Sequence, residues 1–106
     1  MKIKVPKEIT VGSHTYQILL NATDLMDDGL HACANHRRQH IRVHPNRPPS
    51  QKASCFLHEC LHIINIIYLN DSLSESQVDP LAEGFAQVFK GLDIDFDWSD
   101  IPIENE

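Results

Sequence analysis

Five consecutive residues, His58-Glu59-Cys60-Leu61-His62, carry the strongest chemical signal in the chain. Two histidines four positions apart on an α-helix share one face, about 6 Å from each other, so both imidazoles can bind a single zinc ion. A glutamate directly after the first histidine projects toward the same pole and reaches a metal-bound water without ligating the metal. Zinc lowers the pKa of such a water to about 7, and a neighbouring carboxylate can take its proton during attack on a carbonyl. The H-E-x-x-H spacing therefore predicts His58 and His62 as zinc ligands and Glu59 as general base. Two histidines and a glutamate on an otherwise apolar helix are costly to bury unless paired or metal-bound. The plainer reading is an uncharged structural pair in the core.

A hydrolytic zinc site takes a third protein ligand and keeps one position open. Two glutamates follow within reach: Glu75, directly after Ser74, and Glu83, beyond Pro80. Ser74 marks a helical start that can turn Glu75 back toward the metal. Against this, helices folded as an antiparallel hairpin near Asp71 to Ser74 put the residue level with the histidines about ten positions past the turn, from the 1.5 Å rise per residue. That count favours Glu83. Pro80 is the hinge of the choice. If it kinks a helix beginning at Ser74, Glu75 points inward; if it opens the helix with Asp79 as cap, Glu83 gains. Asp79 is also a candidate acceptor for the far N–H of a ligand histidine.

The elements that must position these groups follow from the apolar pattern. Glu8 to Val11 and His14 to Leu20 are β-type runs flanking Gly12-Ser13, the two-residue loop of a tight hairpin. Asn21 to Gly29 reads as a short helical turn or loop, and His31 to His44 as a second hairpin turning at Asn35 to Arg38. In its second run Ile41 and Val43 share one face, while His40, Arg42 and His44 share the face that meets water. His40 and His44 are expected to border the cleft, where one could steady an oxyanion, or simply to be solvated. After Pro45 to Pro49, Ser50 stands as an N-cap. Apolar positions at Phe56, Leu57, Leu61, Ile64, Ile67 and Tyr68 then predict a largely buried helix over 51–69. Val78, Leu81, Phe85, Val88 and Phe89 predict a second helix, closed by Gly91. The acidic tail, 92–106, is expected to hold no regular core element. The fold class is α+β: one domain over 1–106, a small, mostly antiparallel sheet packed on the H-E-x-x-H helix and a second, C-terminal helix.

Composition bounds the partners. The chain has 106 residues and a net charge of −6, so it has no basic field to neutralise phosphates, and nucleic acid is disfavoured. No run of about 18 apolar residues and no secretory signal is present, which predicts a protein of the cytoplasm with no membrane partner. Cys33, Cys55 and Cys60 are an odd count without C-x-x-C spacing, and read as free thiols.

The stretch from Ser50 to Leu92 resembles the small phage- and prophage-encoded members of the ImmA/IrrE-type metallopeptidase group, within the gluzincin class. The matching segments are Phe56-Leu57-His58-Glu59-Cys60-Leu61-His62-Ile63-Ile64, and Glu75 through Pro80-Leu81-Ala82-Glu83 to Phe89. The resemblance implies that His58 and His62 bind zinc, that Glu59 is the base, and that Glu75 completes the site. Pro80 is a departure from that pattern, and so is the lack of a Tyr or His matching the oxyanion-stabilising groups of larger gluzincins. Function is accordingly expected to be zinc-dependent hydrolysis of a peptide bond in a protein or peptide substrate. The alternative is a zinc-stabilised binding or regulatory module without turnover.

Overall fold

The first half of the chain alternates in apolar and polar residues and the second half steps by three and four, and the elements follow that change. The computed structural model describes residues 1–21, 32–35 and 39–104. Along them run β1 (Lys2–Lys4), β2 (Glu8–Val11), β3 (His14–Asn21), β4 (Ala32–Asn35), β5 (His40–Val43), α1 (Pro49–Tyr68), α2 (Glu75–Gly91), β6 (Asp95–Asp97) and β7 (Ile103–Glu104). The reading of Asn21 to Gly29 as a helical turn falls outside these residues apart from Asn21, which ends β3. The tip of the second hairpin (36–38) lies outside them too.

Gly12 turns the β2–β3 hairpin at φ +62°, where a side chain is strained. A Cβ at Gly12 would also stand 3.0 Å from Ile67 Cγ2, so the hairpin tip rests on the end of α1 only because it is bare. Strand order is β2-β3-β5-β4, with β7 also on β3, and β1 and β6 form a separate pair. The class is α+β, and the sheet is mixed, not purely antiparallel. The two hairpins, β2–β3 and β4–β5, are antiparallel, while β3–β5, β3–β7 and β1–β6 are parallel. Side-chain alternation has the same period in either direction, so it could not reveal this.

The parallel β3–β5 register sets Ile18 opposite Ile41 and Leu20 opposite Val43. With Tyr16, these side chains form the sheet's buried layer against Phe56 and Ile63 of α1, with Cys60 and Ile67 partly covered beside them. The core stripe of α1 is thus Phe56, Cys60, Ile63 and Ile67. Ile64 and Tyr68, expected to be covered, are exposed. The helix is apolar on more than one face, and the sheet covers only one. In α2 the buried residues are Val78 and Ala82, while Leu81, Phe85 and Val88 face solvent.

Helix starts also differ from expectation. α1 begins at Pro49 and not after Ser50, because a proline at the first helical position loses no hydrogen bond and has its φ preset. α2 begins at Glu75: Gln77 Oε1 reaches back to accept the Ser74 N–H at 2.9 Å, and Pro80 lies inside the helix. Asp79 is therefore a helical residue and not a cap.

The tail corrects the reading most. Asp95–Asp97 pairs with Lys2–Lys4, and Ile103 pairs with Leu20. Trp98 and Ile101 are 8 % and 5 % exposed. Trp98 meets Phe56 edge-on at 5.4 Å between ring centroids, and Phe96 does the same at 5.8 Å. The tail's aspartates alternate with Phe96 and Trp98, which pack inward. Asp97 accepts the Ser99 N–H at 2.9 Å, and that bond holds its carboxyl below the usual range. Trp98→Ala should cost about 3–5 kcal/mol, the usual loss for a buried Trp, in urea unfolding followed by circular dichroism. A chain ending at Leu92 should show no cooperative transition; near-native stability in that truncate would refute this place for the tail.

Candidate metal centre

α1 carries His58 and His62 one turn apart, off the stripe that meets the sheet. Their rings lie edge to face, centroids 4.6 Å apart and planes at 82°. What faces them is decided at the end of the helix. Asn65, 1 % exposed, accepts the Leu73 N–H through Oδ1 at 3.0 Å. Its Nδ2 donates to the Leu73 carbonyl at 3.1 Å and to Asp71 Oδ1 at 3.2 Å. Its own carbonyl accepts the N–H groups of Leu69 and Asp71. Asn70 and Asp71 make the reversal in the left-handed region, φ +57° and +56°, which these residue types tolerate. The connection thus doubles back along α1 to Asn65 before α2 begins.

Glu75, at the first position of α2, consequently faces the histidines. Its Oε1 lies 2.8 Å from His58 Nε2 and its Oε2 3.2 Å from His62 Nε2. Asp79, one turn on, sets Oδ1 2.6 Å from the same His58 Nε2. Glu83 lies further along and accepts a hydrogen bond from Ser54 Oγ at 2.6 Å. The count that favoured Glu83 took the turn as simple; the doubled-back loop shortens it. Glu59 is 7 % exposed, with Oε1 3.3 Å from His58 Nδ1. The four predicted residues, His58, Glu59, His62 and Glu75, are therefore brought together, and Glu83 is not among them.

Burial raises the Glu59 carboxyl pKa, against the opposing pull of His58 and His62. For His58, burial is the largest single influence and lowers the pKa. The hydrogen bond to Glu75, the charge and hydrogen bond of Glu59, and the hydrogen bond to Asp79 together outweigh it, and the pKa is raised. A metal held by His58 would need the imidazole neutral, so protons would compete with it there.

Neither strand histidine is in the donor groups that could share a metal among the described residues. β5 is an inner strand and β4 the edge. His44 is 2 % exposed, and its Nδ1 accepts the Asn46 N–H at 3.1 Å, so it does not meet water. His40 and Arg42 are half-buried. Cys55 and Cys60 are free, and burial pushes the Cys60 thiol up to about 12. No helix among the described residues is long and apolar enough to cross a membrane.

The donor set suits zinc. Donor atoms of His58, Glu59 and His62 lie within 4.8 Å of one another, as do those of His58, Glu75 and Asp79, and Glu75 links the groups through its second oxygen. Ligand atoms around a tetrahedral zinc at about 2.0–2.2 Å stand roughly 3.3 Å apart. The 2.8 and 3.2 Å separations of Glu75 from the imidazoles need only small adjustment to meet that. Compared with protein-family models, with curated proteins and with solved structures, the chain matches none.

Glu75→Gln should lower zinc affinity tenfold or more, the size of loss that ligand-shell changes produce, while Glu83→Gln leaves it unchanged. Competition titration against a chelating dye measures both; the reverse pattern would restore Glu83 as the ligand.

Proposed function

We propose that the chain is a zinc-dependent metallopeptidase-like hydrolase of the cytoplasm, acting on a peptide or protein substrate. The observation that carries this reading is Glu75 spanning His58 Nε2 and His62 Nε2 at 2.8 and 3.2 Å, with the sheltered Glu59 carboxylate beside His58. His58, His62 and Glu75 are the residues that would hold the metal. Zinc bound there supplies Lewis-acid activation of water and of a carbonyl group.

The chain's own residues supply the rest. Glu59 sets a carboxylate oxygen within 4.8 Å of a donor nitrogen on each histidine. A turn of its side chain would bring it to water held at the site, where it would take a proton from the attacking water and pass it to the departing amine. Its Oε1 also accepts from His58 Nδ1, an interaction that fixes the ring so that Nε2 faces Glu75. Peptide-bond specificity rests on the resemblance of the Ser50 to Leu92 segment to ImmA/IrrE-type peptidases. The free thiols Cys55 and Cys60 suit a reducing compartment.

The test is metal content and turnover on a mixed peptide library, wild type beside Glu59→Gln. Both proteins should carry about one zinc per chain, the number one such site accommodates. Glu59→Gln should cleave roughly 10²- to 10⁴-fold more slowly, the span typical of a lost general base. A metal-free Glu59→Gln would refute its role as a non-ligand. Zinc binding by a wild type that cleaves nothing would favour the regulatory-module alternative.

A further inference from the structure

We infer that Asp79 is a fourth protein ligand, closing the metal site in the resting chain and leaving it when substrate enters. The inference rests on the zinc-site reading above and adds a latent state to it.

Two pairs of donors, each spaced by four residues, face each other across the α1–α2 seam: His58 and His62 on one helix, Glu75 and Asp79 on the other. Helical geometry puts both members of each pair on one face. Asp79 shares with Glu75 the approach to His58 Nε2, though not the contact with His62. Asp79 lies at 2.6 Å from His58 Nε2 where Glu75 lies at 2.8 Å, and the two side chains are 60 % and 59 % exposed. Asp79 approaches the nitrogen that faces the metal and not Nδ1, which is already turned to Glu59. An acceptor that only oriented the ring would sit at Nδ1. Two imidazoles and two carboxylates complete a tetrahedral set, and a zinc with four protein ligands is closed, whereas hydrolysis needs a vacant position.

One of the four must therefore be releasable, and the contacts single out Asp79. Glu75 touches both histidines; Asp79 touches only His58. Asp79 also has an open route away, since its exposed side chain can turn to solvent without disturbing the buried neighbours Val78 and Ala82. Its release gives the three-ligand site that the proposed hydrolysis uses.

The experiment uses the full chain loaded with cobalt(II) in place of zinc, whose visible absorption reports coordination, and azide as a probe for an open position. Wild type should show a tetrahedral cobalt spectrum that azide leaves unchanged. In Asp79→Ala, with helix content verified by circular dichroism, azide should shift the spectrum, and zinc affinity should fall tenfold or more. A wild-type spectrum that azide shifts as readily as that of Asp79→Ala would overturn the fourth-ligand assignment and leave the hydrolase reading standing. A wild type that takes up neither cobalt nor zinc would overturn both.

Discussion

Asn65 stands in the middle of Ile63-Ile64-Asn65-Ile66-Ile67, one turn past His62, and is almost wholly enclosed. A buried amide left without partners costs about 1–3 kcal/mol, so this position constrains what lies around it. The partners it takes are the backbone of Leu73 and the side chain of Asp71. They draw the connection back along α1, and α2 therefore starts beside His62 and not beyond Leu69. The depth at which α2 enters sets which of its carboxylates meets which histidine. Glu75, Asp79 and Glu83 are all acidic and all on α2; their different neighbours follow from that one anchoring.

The second constraint is the division of α1 between two tasks. Its sheet-facing stripe closes the core on Ile18, Leu20, Ile41 and Val43, while His58 and His62 look toward α2. Glu59 lies at the boundary, enclosed enough for burial to raise its pKa yet tied to His58. His58 in turn has a carboxylate at each ring nitrogen, Glu59 at Nδ1 and Glu75 with Asp79 at Nε2. A ring held from both sides keeps its orientation, and orientation is what a metal ligand needs before the metal arrives.

The central part of the site was legible because it is local. His58, Glu59 and His62 lie on one helix, and the helical period alone relates them. The β2–β3 hairpin was legible for the same reason, through Gly12-Ser13. Glu75 against Glu83 was not, since it turned on a doubled-back loop whose only signal was a lone Asn in an apolar run. Strand direction was hidden because alternation carries no polarity, and that hid the interior place of β5 and the burial of His44. In the tail, net acidity obscured the alternation Asp95-Phe96-Asp97-Trp98, which is a strand pattern with charge on its outer face. Asp79 was read either as a cap, because Pro80 follows it, or as an acceptor for the far N–H of a ligand histidine; Pro80 sits within α2 and leaves Asp79 on the face that meets His58 at Nε2.

The β1–β6 pairing has a kinetic side. It joins opposite ends of the chain, and the Lys4–Asp100 ion pair beside it links positions 96 apart, whereas His58 and Glu75 are only 17 apart. Closing the longer loop costs about 1.5 kcal/mol more in chain entropy, by the logarithmic dependence on loop length. A helical hairpin closed by nearby residues forms sooner than a sheet that waits for strands from both ends. During synthesis residues 49–91 emerge while β6 and β7 are still unmade, so the donor cluster can assemble on a domain that has not yet closed. An ion captured at that moment would act as a clamp on the nascent hairpin, holding α2 against α1 until the last strands arrive to complete the core.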